Sequence, residues 1–349
     1  MGVAKKSLAG GELYLLGEKD PKSNSDTQFV KIGIVRDNEN RSTESRLSEH
    51  QTGNPRKLHV LQVVRTPIVE RVETTLHGVY APQRLSGEWF ALSAKERRDV
   101  GARASEFASQ AKSAQAAMQR AAELKAVEST DVILKASKKV RDLFSDYVNL
   151  VVQDRTCAEM VKQLTAALSS ARDAGVKTDA VMSVQERKPS ERFDEEAFKA
   201  EYPKLWAKFS VVQEKWSTRF NWTISKKELP ELRSINKSLM EFANSVARLV
   251  DDPKERRSVD KFHRMYLETL SFGAPVDWEL GLIADRVRAE CGAAAGIDGV
   301  CTWSRTATKE KTLDKGALKE HSPDIYGKFV KLSQSKPAVV VNRDLGFRL

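Results

Sequence analysis

One stretch of this chain occurs twice, and a chain that repeats itself must build two like units and find a way to pack them. Residues 192–209 read RFDEEAFKAEYPKLWAKF and residues 312–329 read TLDKGALKEHSPDIYGKF. At an offset of 120, Asp194, Ala197, Lys199, Pro203, Lys208 and Phe209 recur as Asp314, Ala317, Lys319, Pro323, Lys328 and Phe329. Phe193, Phe198, Leu205 and Trp206 meet apolar or aromatic counterparts in Leu313, Leu318, Ile325 and Tyr326. In each copy an aspartate stands where it can cap a short helix, and a proline follows where that helix must break. Upstream, residues 159–176 and 279–297 both read as helix running into Ala/Gly and then a β-like stretch. The pattern predicts two copies of one helical module, 126–222 and 245–349. Each would be helix–helix, a β-hairpin or arm, then the Asp-capped helix interrupted near its proline.

The N-terminal residues have a different texture. Residues 12–17 (ELYLLG) and 29–35 (FVKIGIV) are β-type runs around a turn-rich segment holding Pro21, Asn24 and Asp26. Residues 43–51 read as a short helix stopped by Thr52-Gly53-Asn54-Pro55, and residues 57–65 (KLHVLQVVR) alternate as a third strand. Residues 67–80 repeat apolar side chains at helical spacing behind Pro67, and Gly87-Glu88-Trp89-Phe90 closes the unit. The predicted class is α+β: a small three-stranded antiparallel sheet with flanking helices over residues 1–92. An alanine-rich helical linker (93–125) and a mostly α-helical region with short β-hairpins follow.

Composition bounds the setting. Of 349 residues, 40% are hydrophobic and 30% charged, as in soluble globular proteins. No apolar run approaches the roughly eighteen residues that a membrane-spanning helix needs. Lys5 and Lys6 have no apolar core after them, which argues against a secretory signal. Cys157, Cys291 and Cys301 show no C-x₂-C spacing, so neither a disulfide framework nor a structural zinc site is expected, and the expected location is the cytoplasm. The net charge is +10. Residues 1–92 hold 13 basic and 11 acidic residues, so most of the excess lies beyond them. Basic clusters at 256–257, 309–315 and 328–336, with Trp303, Tyr326 and Phe329 nearby, fit a polyanionic partner.

The chemistry-bearing residues cluster in the first unit. Glu12-Leu13-Tyr14, then Lys31-Ile32-Gly33, then Arg46 and His50 four apart on one helix face, then Glu73 and His77 in E-T-T-L-H, then Glu88 in G-E-W-F, run in order along residues 12–92. This series, with Q-T-G-N-P between, resembles the phage and bacterial variant of the GIY-YIG nuclease superfamily. Glu12 stands where that superfamily has glycine, and Lys31 where it has tyrosine. The resemblance implies a metal-dependent endonuclease with Tyr14, Lys31, Arg46, His50 and Glu73 as catalytic residues. Tyr14 would be the general base or would position the water, with Lys31 lowering its pKa. Arg46 would clamp the scissile phosphate, and His50 would donate to it or orient the water. Glu73 would be the lone protein ligand of Mg²⁺ or Mn²⁺, with His77 and Glu88 in support.

The second repeat also resembles the C-terminal tail of viral recombination exonucleases of the YqaJ kind, through Gly296-Ile297, Trp303, Asp314, Leu318, Pro323 and Tyr326. That points to phage or prophage DNA metabolism. The expected partner is nucleic acid, DNA before RNA, with no membrane. A protein partner or self-association through the helical region is the further expectation. The competing reading is a non-catalytic nucleic-acid-binding or assembly protein that reuses the fold.

Overall fold

A computed structural model describes residues 8–186, 189–224, 236–333 and 337–346. β1 (Gly11–Lys19) lies between β2 (Asp26–Arg36) and β3 (Leu58–Thr66), antiparallel to both. α1 (Thr43–Thr52), capped by Ser42, connects β2 to β3, and α2 (Val69–Val79) follows. Pro67 precedes that helix instead of opening it, because Ile68 is its N-cap. The sheet has five strands, not the three expected, in the order β3-β1-β2-β5-β4. β4 (Arg84–Ser86) and β5 (Trp89–Ala91) form a hairpin about Gly87, whose φ of +58° favours glycine. Strands of three residues are too short to display an alternating pattern, so the sequence showed only a closing turn.

Alternation gives the sheet two buried faces. Leu13, Leu15, Val30 and Ile32 pack against Val72 and Leu76 of α2. Tyr14, Leu16 and Val35 point the other way, under Leu47 of α1. The alanine-rich segment is no free connector. It is α3 (Ala94–Leu124), capped by Ser93, and it buries Val100, Ala104, Phe107, Ala111, Ala114 and Met118 at helical spacing in the same core as the sheet.

In the remainder, β6 (Ile133–Leu134) leads to α4 (Lys138–Asp173), β7 (Met182–Gln185), β8 (Ser190–Phe193), α5 (Glu195–Glu201), α6 (Pro203–Phe209) and β9 (Ser210–Trp222). After α7 (Lys237–Asp251) come α8 (Val259–Cys291), β10 (Gly296–Ile297), β11 (Cys301–Leu313), α9 (Lys315–His321), α10 (Pro323–Lys328), β12 (Val330–Ser333) and β13 (Ala338–Val341). Elements 120 residues apart correspond: α4 with α8, α5 with α9, α6 with α10, and β9 with β12 and β13. Asp194 and Asp314 cap through Ala197 N and Ala317 N, and Pro203 and Pro323 each open the next helix.

The second copy has a short hairpin of the expected kind, β10 with β11, Ile297 opposite Cys301. The longer described strands do not turn back on their own copy; they pair across the copies. β9 runs antiparallel to β11, with Ser210 opposite Leu313, while β8 and β7 pair with β12 and β13, with Phe193 opposite Val330. Moving one partner of a pair forward by the repeat distance and the other back turns the first register into the second. That is the signature of an isologous two-fold interface, here within one chain. Both ribbons meet at one end in a small core of Phe193, Phe198, Leu313, Leu318 and Phe329. At the other end each enters a helical core, one with Met182 and Val341, the other with Cys301 and Trp303.

The symmetry is broken where the N-terminal unit docks. Trp278 and Leu282 of α8 join the core of the sheet. The same positions in α4 are Ala158 and Lys162, which could not bury an equal apolar surface. All three cysteines are buried and free. Among the described residues, no helix is long and apolar enough to cross a membrane.

Candidate active site

The site grows from the register of two strands. Tyr14 lies opposite Gly33, and a Cβ at Gly33 would sit 2.5 Å from the Tyr14 hydroxyl. The tyrosine ring therefore lies across a position that only glycine leaves open. Tyr14 is fully buried, and its Oη is 3.3 Å from His50 Nε2, a hydrogen bond whose donor depends on the imidazole tautomer. Arg46, one turn before His50 on α1, also hydrogen-bonds the Tyr14 side chain. Its Nη1 makes a 2.6 Å ion pair with Glu49. The i, i+4 spacing of Arg46 and His50 thus brings both to one tyrosine, as the helix geometry requires.

Lys31 shares the Tyr14 face of the sheet. It is buried, and its Nζ donates to Glu88 Oε2 at 2.5 Å. β5 pairs with β2 only over Phe29–Lys31, so past that point the edge of β2 is open. The Ile32 amide there donates to the Glu88 carbonyl (3.0 Å), and the Ile32 carbonyl accepts from His77 Nε2 (3.1 Å). Near this edge Glu73 and His77 of α2, on one face, lie within electrostatic reach of Lys31 on the other, and Glu73 of Tyr14 as well.

Electrostatics separate the roles. Burial raises the Tyr14 pKa, and the opposing hydrogen bond from Arg46 does not reverse it. The expectation that Lys31 would lower it is corrected: the lysine charge is committed to Glu88. Burial, then the positive charges of Lys31 and Arg46, depress His50, so it is neutral at pH 7 and able to accept a proton. Burial pushes the Glu88 carboxyl up, but its bond to Lys31 and the nearby His77 and Arg46 bring it below the ordinary value. His77 is lowered to about 4 by burial and by Arg84, and it packs its ring 5.2 Å from Phe90. Its Nε2–H is committed to a backbone carbonyl, which leaves a positioning part rather than a charged one.

Glu73 differs from all of these. Burial, then the Glu88 carboxylate, push it up to about 7, and Arg36 and Lys31 only partly oppose them. A carboxylate drawn out of water beside a second carboxylate lacks countercharge, and a divalent cation would supply it. Among the described residues no group of three or more His, Cys, Asp or Glu is placed to hold a metal. Glu73, with Glu88 in electrostatic reach, is the carboxylate that could hold such an ion.

Three residues of this arrangement went unassigned in the sequence. Gly33 stood in the Lys31-Ile32-Gly33 motif with no role given, though a glycine inside a strand is itself a sign of close approach. Arg36 and Arg84 reach the site from the end of β2 and from β4, and nothing in their spacing marked them. Gly33→Ala should displace the Tyr14 ring and lower cleavage at least about tenfold, since sub-ångström misplacement costs that much. Activity assays with the Tyr14→Phe variant alongside would check it; full activity in Gly33→Ala would mean that the ring position is immaterial.

Residues 11–105 match the family described as the T5orf172 domain. The match takes in the whole five-stranded sheet and the first turns of α3. Neither the curated proteins nor the solved structures hold a match to the chain.

Proposed function

We propose that this chain is a metal-dependent endonuclease that hydrolyses phosphodiester bonds in DNA, acting through the N-terminal sheet. What carries the reading is the convergence of Tyr14, His50 and Arg46 in one cluster, in electrostatic reach of Lys31, Glu88 and the underneutralised Glu73. The T5orf172 match over residues 11–105 is compatible with a nuclease-related or nucleic-acid-binding role. The GIY-YIG-like motif order supplies the reaction class.

In this reading His50 takes the proton of the attacking water, because it is the site's neutral base at pH 7. Tyr14, held as a phenol by its burial, orients that water through its hydroxyl. Water oxygen forms the new bond to phosphorus as the phosphorus–oxygen bond to the leaving alcohol breaks, with solvent returning a proton to the alkoxide. Arg46 binds the non-bridging oxygens. Its ion pair with Glu49 is on the surface, where such pairs contribute little, so exchange for a phosphate is cheap. Lys31 and Glu88 hold each other and the β5 turn in place. Mg²⁺ or Mn²⁺ bound through Glu73 would supply further neutralisation of the phosphate charge.

The deciding experiment is cleavage of a panel of DNA and RNA substrates with and without Mg²⁺ or Mn²⁺. Arg46→Ala should lower the rate at saturating DNA by about 10²–10³-fold while affinity for uncut DNA changes much less, since a phosphate clamp acts chiefly on transition-state charge. Loss of affinity with an unchanged saturated rate would make Arg46 a docking residue only.

A further inference from the structure

The β9–β11 ribbon has two unlike faces. On one, Trp222, Phe220, Trp303, Cys301 and the fully buried Arg305 anchor the ribbon in the helical core. Arg305 donates to the carbonyls of Gly292 (2.9 Å) and Ala294 (3.1 Å) just past the end of α8, which fixes the base of the ribbon. The opposite face is solvent-exposed along almost its whole length. Its cross-strand pairs include Thr302 with Asn221, Ser304 with Arg219, Thr306 with Ser217, and Thr308 with Lys215. No aromatic residue lies on it, because Trp216, Phe220 and Trp222 all point the other way.

We propose that this polar face of the β9–β11 ribbon lies in the major groove of duplex DNA, with Arg219 and Lys215 as its principal contacts. The proposal goes beyond the hydrolytic reading and does not depend on it. A two-stranded antiparallel ribbon is one of the two elements that the major groove of B-form DNA admits. Hydroxyl, amide and cationic side chains are the groups that contact base edges and phosphates. Charge is complementary: on this face Lys215 and Arg219 stand against the single acid Glu310. Residues 182–222 and 301–341 together hold 16 basic and 11 acidic, half of the net charge of the chain. Lys215 pairs with Glu310 at 3.7 Å in a well-exposed contact, so it can turn to a phosphate. Single-stranded nucleic acid is disfavoured because it is held by stacking on exposed aromatics, which this face lacks. Duplex RNA is disfavoured because its major groove is too narrow for side chains to read.

The test is binding of the full chain, with EDTA present to prevent cleavage, to a fluorescent duplex DNA, its single strand and a duplex RNA across a salt series. The full chain should prefer the duplex DNA. Arg219→Ala with Lys215→Ala should weaken duplex DNA binding about tenfold and lower the salt slope by about two. Glu310→Gln should strengthen binding, which guards against a loss caused by misfolding. Both variants are in exposed positions and should leave the circular dichroism and melting temperature unchanged. Unchanged affinity and salt slope in the double variant, or equal losses on all three nucleic acids, would overturn the assignment. Because cleavage is never read, a chain that binds through the ribbon but does not cut would refute the nuclease reading alone.

Discussion

Glu73→Gln is expected to reduce metal-dependent cleavage by at least about 10³-fold, the scale seen when a principal electrostatic element of a site is removed. A second readout separates a metal ligand from a merely structural carboxylate. Glu73 has its folded pKa raised to about 7 from an ordinary value of 4.5, so ionising it costs folding free energy. That cost is absent below pH 4.5, grows as the pH rises toward 7, and is complete above it. In EDTA at pH 8, Glu73→Gln should therefore stabilise the chain by on the order of 2 kcal/mol, and at pH 4.5 it should change little. Mg²⁺ or Mn²⁺ should raise the melting temperature of the natural chain at pH 8 and not that of the variant. Undiminished cleavage, or equal metal-induced stabilisation of both proteins, would remove Glu73 from the metal site.

Trp278→Ala should give the largest loss of stability of any single substitution considered for this chain. The indole is 1% exposed, packs 5.1 Å from the Phe107 ring and from the Arg71 guanidinium, and donates from Nε1 to Gln110 Oε1 at 2.6 Å. Truncation removes that burial, leaves a cavity and strands the amide of Gln110, for a cost of about 3–5 kcal/mol. Because Trp278 belongs to α8 while its core belongs to the sheet, the loss should appear as weakened docking of the N-terminal unit. Urea unfolding with limited proteolysis near α3 would measure it; a change below about 1 kcal/mol would show that the interface is held elsewhere. The same packing bears on residues 1–92 alone. Without Phe107, Ala111 and Trp278 the apolar side of the sheet would lie open, so that fragment should be less stable than the same residues in the whole chain.

Local periodicity carried much of this structure in the sequence. The runs that became β1 and β2 are β-type, that of β3 alternates, α1 is marked by its stop signal, α2 repeats at helical spacing, and Asp194, Asp314, Pro203 and Pro323 mark the same helix boundaries in both repeats. The spacing of Arg46 and His50 sufficed to place them on one side of α1. These are short-range consequences of backbone geometry, and a linear reading recovers them. What only the tertiary structure decided is every feature set by partners distant in sequence. Lys31 was near enough in order to serve Tyr14, but Glu88, 57 residues away, takes its charge. Tyr14 passes over Gly33 only because β1 and β2 settle in one register. The alanine-rich segment looked like a spacer until Trp278 supplied the surface its buried face needed. The repeat was legible as similarity, yet nothing local distinguishes a strand that turns back on its own copy from one that pairs with the other copy. Pairing energy is the same residue by residue in either case, so the choice falls to the packing at the two ends of the ribbons, which no single segment encodes.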